Sequence, residues 1–187
     1  DYAMSLSNLA VLYNEMGNYE KAEPLYLEAK ILLEKALGRE HPDYAKCLEN
    51  LAIHYQARGN YEKAELLCIE AKNIYEKVLG KEHRGYINSL NIQASIYLTI
   101  LNLEKCETLL LEVQSIREKV MGKENPEYAI GLNQLAGLYQ RMGNYEKAER
   151  LYLESIAIQV KVLGKEHPEY ARNLSTFAGL NILMANH

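Results

Sequence analysis

The 187-residue sequence has no tryptophan, one phenylalanine and four prolines. Its aromatic surface is therefore almost wholly phenolic, carried by 15 tyrosines, and prolines are too few for a loop-rich or disordered chain. It lacks a basic excess: the formal charge is -4, whereas a nucleic-acid partner requires a stripe of Lys and Arg. No apolar run approaches the ~20 residues of a membrane span, so no membrane partner is expected. No secretory leader opens the chain, and Asp1 in place of an initiator Met reads as a cut within a longer protein. The three cysteines, Cys47, Cys68 and Cys106, are odd in number and form no CxxC. GxSxG, HExxH, P-loop and Rossmann glycine patterns are all missing.

What the sequence does have is a period. "GNYEKAE" begins at Gly17, Gly59 and Gly143, and where a fourth copy belongs, Leu101 to Glu107, the chain reads "LNLEKCE". Cutting every 42 residues gives repeats 1–42, 43–84, 85–126 and 127–168 and a partial repeat at 169–187. Leu6, Leu48, Leu90, Leu132 and Leu174 form one column, and Ala10, Ala52, Ala94, Ala136 and Ala178 another. Cys106 stands in the column of Ala22, Ala64 and Ala148, and Cys68 in that of Tyr26 and Tyr152. The cysteines are thus read as small buried hydrophobes in a reducing, cytoplasmic setting.

Each repeat reads as two helices. Leu6, Leu9, Ala10 and Tyr13 share a face of the first. Gly17 stops it in the left-handed region, and Asn18 offers an acceptor to the free amides of the second. The second carries Tyr19, Ala22, Leu25, Tyr26, Ala29, Leu32 and Leu33 to a stop at Gly38. At 19 residues it is about 28 Å long. A polar loop, "GREHP", leads to Pro42, which suits the first turn of a helix because its missing N–H costs nothing there. The third repeat departs from the pattern with Gln93 for Leu, Leu101 for Gly and Val113 for Ala. Leu101 is expected to extend or distort its corner, and the departure as a whole is read as drift, with a change in superhelical pitch as the alternative.

Leu9, Ala10 and Tyr13, then Gly17, Tyr19, Ala22, Tyr26 and Ala29, resemble the tetratricopeptide repeat (TPR) pattern column by column. The ordinary unit of that family has 34 residues; this 42-residue form resembles the repeats of kinesin light chains and of bacterial and archaeal multi-repeat proteins. The resemblance covers essentially the whole chain. It implies an all-α, right-handed α-solenoid of antiparallel helix pairs, here one fragment spanning 1–187.

His41, His83 and His167 stand in the loops of separate repeats, with Asn125 in that place in the third; they are too far apart to share a metal and are read as caps ahead of the next helix. His54 is read as a surface or groove residue, and His187 lies at the end. The recurring Glu and Lys fall at spacings that favour solvated ion pairs rather than a unique acid–base couple. No catalytic residue, metal or cofactor is expected.

In the resembled family the first helices line a concave, peptide-holding groove. Carried over, that face includes Asn8, Lys46, Asn50, Asn88, Asn91, Asn133, Gln134 and Arg141. Carboxamides both donate and accept, so they can pair with the backbone of an extended peptide. The two-carboxylate clamp of chaperone-tail binders is not matched, since its places hold Ser7, Val11, Asn50, Asn88 and Ile92. The expected function is a non-catalytic protein- or peptide-binding scaffold. Two alternatives stand beside it: a regulatory or sensor arm of a larger protein, for example ahead of a CHAT-type protease domain, and self-association through exposed solenoid ends. The partial repeat at 169–187 leaves Leu174, Phe177, Ala178 and Leu180 without the second helix that would cover them, pointing to a longer parent chain.

Overall fold

A computed structural model of the protein describes residues 2–185; Asp1 and His187 lie outside the described residues. The fold is all-α, with nine helices and no strand among the described residues. The helices gather into two compact units, Asp1–Ile100 and Leu101–His187. The first holds α1 (Tyr2–Glu15), α2 (Tyr19–Leu37), α3 (Pro42–Ala57), α4 (Tyr61–Leu79) and α5 (Arg84–Thr99). The second holds α6 (Leu103–Met121), α7 (Pro126–Arg141), α8 (Tyr145–Leu163) and α9 (Pro168–Ala185).

The corner between paired helices is set by the backbone of "GNYEKAE". At Gly17 φ is 72°, and the amides of Gly17 and Asn18 bond back to the carbonyls of Asn14 and Tyr13 at 3.0 and 2.8 Å, closing the open end of α1. Gly59 and Gly143 repeat the turn. Asn60, Asn102 and Asn144 each accept from a backbone amide three residues on, at 3.2–3.3 Å, the N-cap their position suggests. Asn18 makes no such bond.

Leu101 does not lengthen the helix before it. Helix α5 has the same 16 residues as α3 and α7, and Leu101 itself enters the left-handed region at φ 59°. That conformation costs about 1–2 kcal/mol for an L-residue with a Cβ.

The small-residue columns sit where helices cross. Ala22, Ala64, Cys106 and Ala148 are buried, as are Ala29, Ala71, Val113 and Ser155. In the first unit Ala10, Ala22, Tyr26, Leu51, Ala52, Ala64, Cys68 and Ile92 belong to one apolar cluster. The face of each first helix that meets the preceding second helix is dry: Tyr44, Leu51, Ile96, Leu135 and Leu138 are buried. On α1 the same face is open, so Tyr2 is 65% exposed where Tyr44 is 1% exposed. On α9, Leu180 is buried whereas Leu174 is exposed.

The loops carry the expected caps. His41 Nδ1 accepts from the Asp43 amide at 3.1 Å, His83 Nδ1 from Gly85 at 3.0 Å, and Asn125 Oδ1 from Glu127 at 2.8 Å. Ion pairs such as Lys77–Glu40 and Lys161–Glu124 reach these loops from the following second helix; exposed pairs of this kind contribute less than about 1 kcal/mol each.

Candidate functional site

Successive repeats are tied by a hydroxyl–carboxylate ladder. The last Glu of the recurring segment accepts from the Tyr of the next first helix: Tyr55 Oη donates to Glu23 at 2.9 Å, and Tyr97–Glu65 and Tyr139–Glu107 repeat the bond. Burial, reinforced by the carboxylate, pushes the Tyr55 and Tyr97 hydroxyls up to about 12, so they remain donors at any physiological pH. The Lys of the segment lies over the Tyr ring of its own repeat: Lys21 over Tyr13, Lys63 over Tyr55 and Lys147 over Tyr139, at 5.5, 5.0 and 3.7 Å from the centroid.

His54 is not the surface or groove residue expected. It is 0% exposed, enclosed by the rings of Tyr19, Tyr26 and Tyr55. Its Nδ1 lies 2.9 Å from Asn14 Oδ1, while Nε2 faces the Glu23 carboxylate at 3.9 Å. Burial lowers its pKa, against the opposing pull of Glu23. Its column holds Leu12, Ile96 and Leu138, which is the signal that marks it as interior.

In the first unit the candidate residues divide by exposure. Asn8 and Lys46 are exposed; Asn50, Asn88 and Asn91 are half-buried. Asn50 Nδ2 donates across to Ser7 Oγ on α1 at 3.2 Å, and Gln56 Nε2 donates to Ser95 Oγ on α5 at 2.9 Å. Glu49 is a carboxylate only 1% exposed, and three donors satisfy it: Ser89 Oγ at 2.8 Å, Asn88 Nδ2 at 2.9 Å and Lys46 Nζ at 3.1 Å. Asn91 spends its amide on the Ile87 carbonyl one turn back, at 3.0 Å, and its oxygen is enclosed without a partner.

In the second unit Gln134 and Arg141 are exposed and Asn133 is half-buried, its Oδ1 enclosed and unpaired. Behind Gln134 lies a residue whose burial the sequence reading missed: Arg117, 5% exposed, donates from Nη1 to Gln134 Oε1 at 3.1 Å. Its Nη2 is 3.9 Å from the Glu127 carboxylate. Burial lowers its pKa, with Glu127 opposing. Because an arginine can only donate, Gln134 is held with its oxygen inward and its NH2 outward.

The three cysteines are all buried. Burial raises the thiols of Cys47, Cys68 and Cys106 to about 11, 12 and 11, well above where a nucleophilic thiolate forms. The described residues hold no cluster of His, Cys, Asp and Glu able to bind a metal, and no helix long and apolar enough to cross a membrane.

Comparison with known proteins agrees with this geometry. Solved structures superpose over nearly the whole chain. A kinesin light chain-like protein of Podosopora anserina with nearly identical TPR-like repeats is 28% identical with a TM-score of 0.83, covering 98% of this chain and 87% of that one. BtubC (BKLC) from P. vanneervenii is 23% identical with a TM-score of 0.80, over 94% of this chain and 70% of that one. The apo form of RapI, 14% identical with a TM-score of 0.80, shares the fold across 98% of this chain, which spans 64% of that one. No curated protein matches the sequence. The tetratricopeptide repeat profile matches at residues 1–67, 48–119, 91–158 and 127–187. On sequence and structure together, the chain belongs to the tetratricopeptide repeat family.

Proposed function

We propose that the chain is a non-catalytic scaffold that binds a protein or peptide in extended conformation along the exposed face of its first helices. TPR arrays generally mediate protein–protein interaction and are typically without catalytic activity. The observation that carries the reading is the set of polar side chains left accessible on the first helices: Asn8, Lys46, Asn50 and Asn88 in one unit, Gln134 and Arg141 in the other. A side chain with an open amide atom can pair with a peptide backbone whatever the ligand's sequence. The buried free thiols support a reducing compartment, and we place the protein in the cytoplasm.

A displayed library of short peptides, screened against the chain and against a variant with Asn50, Asn88 and Gln134 changed to Ala, tests this reading. Binders that lose at least about tenfold in affinity in the variant, with helicity and melting preserved, are the expected result. Equal binding to both proteins would move the site off the first-helix face.

Self-association has one specific observation in its favour, the open stripe of Tyr2, Leu9 and Leu12 on α1, continued by Met16 in the turn after it. Light scattering across a concentration series checks it: a mass constant near 21.4 kDa rejects association.

A further inference from the structure

The face that seats a first helix against the second helix before it is open on α1. Tyr2, Ser5, Leu9 and Leu12 are exposed, and their spacing of three and four residues lays them along one stripe. Down the same columns Tyr44, Cys47, Leu51 and His54 on α3 are buried, and so are Tyr86, Ser89, Gln93 and Ile96 on α5. On α3 the cover is α2. The rings of Tyr19 and Tyr26 lie against His54, and Cys47 Sγ donates to the Tyr26 carbonyl at 3.8 Å. On α5 the cover is α4, with the Tyr75 ring over Gly85.

Two donors lack the acceptor that their counterparts have. Tyr55 and Tyr97 donate to Glu23 and Glu65 of the second helix before them, whereas Tyr13 makes no such bond among the described residues. Lys77 pairs with Glu40 in the loop after α2, whereas Lys35, in the same column, is exposed and meets no carboxylate among the described residues. The joints inside the chain therefore define what would cover α1. It is an amphipathic helix with small residues at the crossing, as at Ala22 and Ala29, and apolar ones in the places of Tyr26 and Leu33. It carries two carboxylates 17 positions apart, as Glu23 and Glu40 are. A folded second copy has no such helix to offer, because α3 and α5 cover α2 and α4 in one unit and α7 and α9 cover α6 and α8 in the other.

We propose that the open face of α1 is a docking site for one helix of this form presented by another polypeptide, with Tyr13 and Lys35 setting its register against the two carboxylates. The α2 pattern suits this face better than that of α4: Tyr75 requires the glycine at 85, whereas the repeat of α1 has Asp1 in that column, as α3 has Asp43. The site is separate from the peptide groove and stands or falls independently of it.

The probe is an end-capped, fluorescently labelled peptide copying residues 17–41 and titrated into the chain by anisotropy. A hydrocarbon staple between the places of Leu27 and Ile31, both exposed in the chain, holds it helical, since a free helix of this length is marginal in water. Saturable binding is expected, weakened at least about tenfold by Leu9→Lys with Leu12→Lys; both side chains are exposed, so the variant should keep its melting temperature. Tyr13→Phe in the chain and Glu23→Gln in the peptide should each cost about threefold or more, with little further loss when combined. Additive losses would overturn the register. Undiminished binding to the double-Lys variant would mean that the peptide displaces α2 from α3, and would overturn the proposal. So would no binding at all. A mass of the chain alone that rises with concentration, and stops rising in the double-Lys variant, would give the face to a second copy instead. Amide exchange over residues 2–15 supplies the last check: the bound peptide should slow it, and unchanged exchange at saturation would sink the idea.

Discussion

The two units use one repeat frame and fill its joints differently. In the first, the column that faces the next repeat holds Leu33 and Tyr75, both buried and largely apolar. In the second, the same column holds Arg117 and Gln159, equally buried and polar. Each choice is answered on the facing helix. The Tyr75 ring lies where Gly85 leaves room, since a Cβ there would come within 2.6 Å of the ring. Arg117 lies over Gly131, where a Cβ would be 2.8 Å from Nη1 and 1.8 Å from Gln114 Oε1. Gln159 accepts from Asn173. A joint between repeats is therefore a matched pair rather than a fixed set of residues, and its polarity can change provided both sides change together.

The largest expected effect separates the two glycines. Gly85→Ala drives a methyl into a stacked, rigid ring and should destabilise the first unit by about 1–3 kcal/mol. Gly131→Ala meets the ends of flexible side chains and gains about 1 kcal/mol of helix propensity, so its net cost should be smaller. Hydrogen exchange read separately over residues 2–100 and 101–185 checks this. Equal losses, or a greater loss for Gly131→Ala, would show that ring rigidity does not govern the joint.

Next comes the polar joint itself. Arg117→Leu copies the residue at position 33 and removes a buried charge with one hydrogen bond and a 3.9 Å ion pair as its compensation. Such replacements are neutral to stabilising by about 1–4 kcal/mol, and denaturant unfolding should show an unchanged or raised midpoint. A loss above about 2 kcal/mol would mean that the guanidinium stabilises the second unit. A smaller gain, about 0.5–1 kcal/mol, is expected from Leu101→Gly, which relieves the left-handed strain but adds backbone freedom to the unfolded chain. Thermal unfolding with a lower midpoint in that variant would contradict the strain.

The smallest effect concerns His54 and acid. Its folded pKa lies below the ordinary value, so the unfolded chain takes up the proton first. Its contribution is present above the unfolded pKa, near 6.5, and is lost as pH falls. The melting temperature of the native chain should fall between pH 7.5 and 5.5 by more than that of His54→Leu, which copies the residue at Leu12. Parallel curves would show that this histidine does not titrate on unfolding.

Much of this was legible because the sequence repeats. Gly17, Ala22 and the three capping Asn residues could be placed from one copy of the segment, since their partners are local. The closing Glu could not, because its Tyr partner lies 32 residues on, in the next repeat. His54 was misplaced when read beside its neighbour Tyr55; read down its column, with Leu12, Ile96 and Leu138, it is interior. Arg117 escaped notice for a related reason, since long charged side chains are ordinarily solvated and its columnar companions Leu33 and Tyr75 carry the sign of burial. The site was harder to read than the fold. Which amide atom faces outward depends on a neighbour in another helix, and no spacing within one helix encodes it.

The matched joints bear on how such a gene can grow or shrink. A second helix and the first helix that follows it must stay together, because Tyr75 fits Gly85 and Arg117 fits Gly131. Recombination in the connecting loop would part them, whereas crossing-over inside "GNYEKAE" carries each pair across whole. That segment is also the stretch most alike from repeat to repeat, where misaligned copies of the gene would pair most readily. The place where unequal exchange comes most easily is thus the place where it does least harm to the protein.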